Sequence, residues 1–379
     1  MHALLMALSA AAAPPTIVVI APRTEKELAE CLARKCGVRE DAIASIHHAQ
    51  AQFAQGAYTD ARKTLLASLR RNRTAVGQDP RAVSALWHAL ARVTLHNGDM
   101  DEYRRASLRA GSILARSNSV SLAEQVRGEV ETADALSVTG DTEGAVRRYR
   151  KVAEAARARG DAELAQLMNL RSIYARSGLD GRPAARRALE RAAGDAALTP
   201  RARTVALALA AQLQEGKDAK AEALLDAVPV QAADAPPMLL WAPKDRFTQQ
   251  REAINRGLAN NDPTLLNLLQ PRASDALGYG WVDIGFWIRP NGRVEDAEVL
   301  RGNGGGTWAR DMLKVIQRRR YAPYRAEPGS EGRYKIERVT LTYDHTTPVG
   351  SLIRRRSGLP HYRFEDLKIE QDGQERTEP

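Results

Sequence analysis

From Glu40 to Val228 the apolar residues recur every three or four positions with almost no strand-like alternation, which predicts one amphipathic helix after another. The pattern breaks after Val228, where "PVQAADAPPMLLWAPKDRF" carries four prolines and no period. Such a stretch predicts a linker, residues 229–276, holding one short helix over Thr248–Ala259. The period then switches to two. Val282, Ile284, Phe286 and Ile288 place four apolar side chains on one face of a strand. "RPNGR" supplies a tight turn with Gly292 at a positive φ, and "RVEDAEVLR" is a second strand whose phase slips between Val294 and Val299, as a bulge would make it do. Ala309, Met312, Leu313 and Ile316 follow at helical spacing, and Val339, Leu341 and Tyr343 alternate in a last strand. The fold class expected is α+β and multidomain: helices over 41–228, then a small β-β-α-β unit over 277–346 and a tail over 347–379.

Along the helical region a single turn recurs. "AQGAYTDARKTLL", "HNGDMDEYRRASL", "VTGDTEGAVRRYRKV", "RSGLDGRPAARRAL" and "QEGKDAKAEALLDAV" each place a glycine shortly before an aspartate and a new helical run. The glycines are Gly56, Gly98, Gly140, Gly178 and Gly216, with separations of 42, 42, 38 and 38. Glycine closes the first helix in a left-handed conformation and the acidic or hydroxyl residue after it caps the second. Ala61, Ala145 and Ala221 then sit five positions past their glycines, small enough for close helix approach, with Tyr103 and Pro183 as departures. A near-constant period of this size marks stacked helical hairpins. The pattern resembles the tetratricopeptide family, with a longer repeat. That resemblance implies a solenoid whose groove binds protein segments.

The last unit is more specific. Asn291-Gly292-Arg293-Val294, the glycines from Gly302 to Gly306, Arg320-Tyr321-Ala322-Pro323 and the strand Val339–Tyr343 follow one another in an order that resembles the C-terminal domain of the TonB family, over about residues 277–346. The resemblance implies that the last strand, here Arg338, Val339, Thr340, Leu341, Thr342 and Tyr343, pairs with an extended segment of an outer-membrane receptor. The physical reason is that an edge strand is a template for a peptide. Two other occupants of that edge are the basic tail "PVGSLIRRRSGLPHYRF" and a second copy of the domain in a homodimer. The chain departs from the family's energy transducers: a helical repeat region stands where they carry a long proline-rich spacer, and "RGNGGGTW" lacks the usual Ser-Ser-Gly.

Composition narrows the function. The 379 residues are 44% hydrophobic and 27% charged, with a net charge of +10. Arginine carries the excess and is scattered along the helices, which argues against a nucleic-acid patch. The N-terminus, "MHALLMALSAAAAPPTIVVIAPR", reads as a signal peptide over residues 1–13, or as a membrane anchor over Ala3–Pro22, with a cytoplasmic chain as the third reading. In an exported chain the two cysteines, Cys31 and Cys36, imply a disulfide within the N-terminal segment 14–40, provided that Gly37 ends the helix and lets Cys36 turn back. "RGNGGGT" lacks the Gly-Lys-Ser/Thr of a phosphate loop, and no His, Cys or carboxylate constellation has catalytic or ligand spacing. The expectation is a non-enzymatic cell-envelope protein without a cofactor, placed in the periplasm and binding protein partners through its repeats and last strand. The alternatives are an inner-membrane energy transducer and a cytoplasmic or nucleic-acid-binding adaptor.

Overall fold

The computed structural model describes residues 21–214, 218–259, 280–303, 306–327, 329–346, 350 and 355–367. The signal and anchor readings fall on residues 1–20, outside this set, as does Gly216. Among the described residues no helix is long and apolar enough to cross a membrane.

The chain opens with α1 (Ala21–Ala33), α2 (Val38–Ala54), α3 (Tyr58–Arg71), α4 (Pro80–Asn97), α5 (Met100–Arg116), α6 (Leu122–Val138), α7 (Thr142–Ala158) and α8 (Ala162–Ala175). It continues through α9 (Ser177–Asp180), α10 (Arg182–Ala193), α11 (Pro200–Gln212) and α12 (Asp218–Leu225). The long helices pack mainly on their chain neighbours, and the first helices of successive hairpins also touch, as α2 does α4. Local chemistry sets the turns. Gly56, Gly98 and Gly140 have φ of 80°, 79° and 83°, while Asp99 and Asp141 accept from the backbone N–H of Glu102 and Gly144 to cap α5 and α7. Gly178 departs from the expectation: it lies inside the single-turn α9, and the left-handed turn is made three residues later by Gly181, φ 86°. Ala61 and Ala145 are fully buried between helices, as their size requires.

The expected linker is partly structured. Leu239–Trp241 forms β1, with Leu240 and Trp241 buried in the core of α8 and α10–α12, and α13 spans Arg246–Ala259. Then come β2 (Gly280–Ile288), β3 (Val294–Gly302), α14 (Thr307–Gln317), the short β4 (Arg320–Tyr321), β5 (Arg333–Thr346) and β6 (Arg355–Leu367). The strands β3-β2-β5-β6 form one antiparallel sheet in that order, and β1 pairs with β4 in a second, two-stranded one. One sheet face, Val282, Ile284, Phe286, Ile288, Val339 and Leu341, packs with Trp308, Met312 and Ile316 of α14 and with Tyr362 of β6. Gly292 turns the β2–β3 hairpin at φ 76°, and the slip in β3 is a bulge around Asp296, φ 53°. The overall class is mixed α+β.

One expectation is corrected. The tail contributes β6, so the sheet extends beyond residue 346. Just past α14, Arg319 is buried, donating to Glu337 at 2.6 Å, and Arg320 lies in β4.

Candidate interaction surfaces

Residues Arg338–Tyr343 do not form an edge. In β5 they pair with β2 on one side, Val282 opposite Val339, and with β6 on the other, Leu341 opposite Tyr362. The cause is the tail: its strand saturates the backbone groups that an incoming segment would have used.

The polar side chains of that strand are equally occupied. Alternation turns Val339 and Leu341 to the α14 side, which leaves Arg338, Thr340 and Thr342 facing the helices, where they are fully or almost fully buried. Arg338 donates to the Asp283 carboxylate at 2.5 and 2.9 Å and to the carbonyls of Phe53 and Ala54 at the C-terminal end of α2, at 2.5 and 2.6 Å. Its guanidinium lies 3.7 Å from the centroid of Trp281. Thr340 Oγ1 is 2.8 Å from both the Tyr58 hydroxyl and His96 Nδ1. The next contact is through backbone, where His345 N–H donates to the carbonyl of Gly98 at 2.6 Å. A side chain at Gly98 would overlap the Tyr343 carbonyl, and one at Gly56 would overlap the Trp281 ring. The turn glycines 56 and 98 therefore form a seam against the sheet, a role that their place in the repeat does not reveal.

His96 is central to this seam. Burial, reinforced by the cations Arg338, Arg363 and Arg92, pushes its pKa down to about 3. Glu365 Oε2 lies 3.7 Å from His96 Nε2 and would favour the protonated ring, but Arg92 already engages that carboxylate. The imidazole is accordingly neutral. Asp41, deep between α2 and α3, shows the opposite balance. Burial raises its pKa, yet hydrogen bonds from Arg71, Ser45 and Asn72 bring it below the usual carboxylate value.

Two sheet edges remain. The outer side of β3 carries a bulge and the exposed acids Glu295, Asp296 and Glu298, all features that discourage pairing. The outer side of β6 runs for 13 residues with Pro360 near its middle, a residue that sheets accept on edges. On the helical layer, α2 and α4 enclose an apolar groove of about 440 Å³ lined by Ala42, Ile43, Ile46, Ala82 and Ala85, with Arg39 and Arg81 at its rim. Ile43 is half exposed there, at 49%. Arg81 binds Glu124 of α6 through two hydrogen bonds, 2.6 and 2.8 Å, and with Ser121 holds that carboxyl at about 2. A larger and more polar cleft, about 570 Å³, separates Lys244, Arg246 and Glu252 from Lys314 of α14 and Arg318 just past its end.

Cys31 and Cys36 are joined as a disulfide, Cα to Cα 5.1 Å. Helix α1 stops at Ala33, and Lys35 takes φ 53°, which returns Cys36 so that its N–H donates to the Cys31 carbonyl at 3.0 Å. The break thus precedes Gly37.

No family model matches the sequence, and no curated protein matches it. Among solved structures, the crystal structure of BtubC (BKLC) from P. vanneervenii is similar over 54% of this chain and 86% of that one, at 17% identity and a TM-score of 0.40. A likeness of that size defines no shared fold.

Proposed function

We propose that this chain is a non-enzymatic scaffold of the cell envelope: a tetratricopeptide-like array of helical hairpins joined to a domain of the TonB type, acting by capture of protein segments. The observation that carries the reading is the groove between α2 and α4, apolar along its floor and rimmed by arginines. Helical repeats of the resembled family receive extended or helical segments between their first helices, and an exposed isoleucine between alanines offers the small, shaped apolar site that such a segment needs. The Cys31–Cys36 disulfide supports an oxidising compartment, in keeping with an exported protein. Because β5 is paired on both sides, receptor binding by Arg338–Tyr343 does not belong to the proposal; the repeats take the capture role.

The test is in-cell crosslinking from a photoreactive residue at position 46, with Ile43→Asp and Ala85→Asp as variants. Defined protein adducts in the envelope fraction, lost from both variants while circular dichroism is unchanged, are expected. Adducts of equal yield in the variants would remove the groove as the binding site.

A further inference from the structure

The arginines that look scattered in the sequence are gathered by the alternation of helices. The first helices of the hairpins, α2, α4, α6 and α8, together hold 5 basic and 7 acidic residues; the second helices, α3, α5, α7 and α10, hold 17 basic and 6 acidic. Stacking hairpins places the second helices in one layer. Contacts between them show the adjacency: Arg62 of α3 binds Glu102 of α5, and Arg104 of α5 pairs with Asp141 at the start of α7.

Most acids of this layer are spent locally. Asp60, Asp101, Glu102 and Glu143 lie in the first turns of their helices, where they complement the dipole, and Glu190 pairs with Arg186. Past those turns Arg70, Arg105, Arg109, Arg150, Arg187 and Arg191 are exposed, and none is engaged by a carboxylate among the described residues. The spacings 105/109 and 187/191 put each pair on one side of its helix.

We propose that this arginine layer docks the protein on an anionic phospholipid surface. The charge is spread over successive second helices, of which α3, α5 and α7 are tied side by side through Arg62–Glu102 and Arg104–Asp141, the form of a face for a plane rather than of a groove for a strand. The layer offers little for bases to stack on: Tyr58 and Tyr149, on α3 and α7, are buried, and Tyr103 of α5 is half-buried against the core of α2–α5. Cations held at the headgroup level each add about fivefold to binding of an acidic bilayer.

Sedimentation of the full chain with vesicles of phosphatidylcholine alone, or with about a third phosphatidylglycerol, is the experiment, with duplex DNA in a parallel titration at the same salt. The fourfold variant Arg105→Glu, Arg109→Glu, Arg150→Glu, Arg187→Glu is compared with the matching fourfold lysine variant, both checked by circular dichroism. Expected are binding only to the acidic vesicles, weakening with salt, retained with lysine and reduced about a hundredfold or more with glutamate. Equal binding to both vesicle types, glutamate and wild-type chains that sediment alike, or DNA bound more tightly than acidic vesicles would each overturn the proposal; the last would reassign the layer to nucleic acid. If the glutamate variant fails to fold, the salt and lipid dependence of the lysine variant decides alone.

Discussion

Arg338 shows what a buried charge costs and what it secures. Its guanidinium and the Asp283 carboxylate are both fully removed from solvent, and each is tolerable only because the other, with two helix-terminal carbonyls, satisfies it. Replacing Arg338 by methionine should therefore cost about 3–5 kcal/mol in urea unfolding, because Asp283 is left buried with Arg301 alone. The double variant with Asp283→Leu should recover part of that loss. His96 makes a second residue-scale prediction. In an unfolded chain its ring takes a proton near pH 6.5, in the fold only near 3, so the unfolded state binds more protons in between. Stability from this group is complete above about pH 7 and is lost as the pH falls, by about 2 kcal/mol at pH 5. The pH dependence of thermal unfolding should flatten by that amount in His96→Gln, and profiles that superimpose would show the ring to be solvated.

At the scale of elements, the turn glycines offer a controlled comparison. Gly98 and Gly140 have nearly the same φ, but a Cβ at Gly140 meets nothing within 4 Å, whereas at Gly98 it strikes the backbone of β5. Gly140→Ala should cost about 1 kcal/mol for the left-handed backbone alone, and Gly98→Ala clearly more, read by urea melts of the two variants. Strand β6 gives the complementary test. A chain ending at Thr346 should lose the buried Tyr362 and expose the β5 edge, giving a lower melting temperature and association by size-exclusion chromatography. Sequence periodicity made the hairpins, β2, the Asn291-Gly292 turn, α14 and β5 legible, because each is encoded by neighbours within a few residues. It did not mark β6 as a strand, because "RRSGLPHYRFEDL" has no strict alternation and contains a glycine and a proline, but the tail that holds it was one of the occupants named for the β5 edge, and it is the one that pairs there. The contacts of Arg338 and Thr340 in the expected edge strand Arg338–Tyr343 were hidden too, since their partners, Phe53, Tyr58 and His96, lie 244 to 285 residues away in the chain. The arginine layer was unreadable for the same reason: adjacency of α3, α5 and α7 is a property of stacking, not of spacing.

For the whole molecule, the sheet unit holds the helical array in two places. The first two hairpins meet it through Arg338, Thr340 and Gly98, and the last helices meet it through β1, which pairs with β4, and through Gln231, whose N–H donates to the Pro323 carbonyl at 2.7 Å. Helices and sheet should accordingly unfold together, far-ultraviolet dichroism and tryptophan fluorescence following one transition. Two separated transitions would show that the seam contributes little.

A row of stacked helices free at one end is a spring, able to widen or tighten its curvature around whatever it holds. Here both ends are held by the C-terminal unit, the first hairpins by β5 and the last helices by β4, so the row is closer to a bow that is already strung. Its span is set by the separation of those two attachments, and a segment entering the groove of α2 and α4 meets a surface that does not have to be shaped at the moment of capture. The ordering cost has been met during folding, which favours selectivity for one shape of guest over accommodation of many.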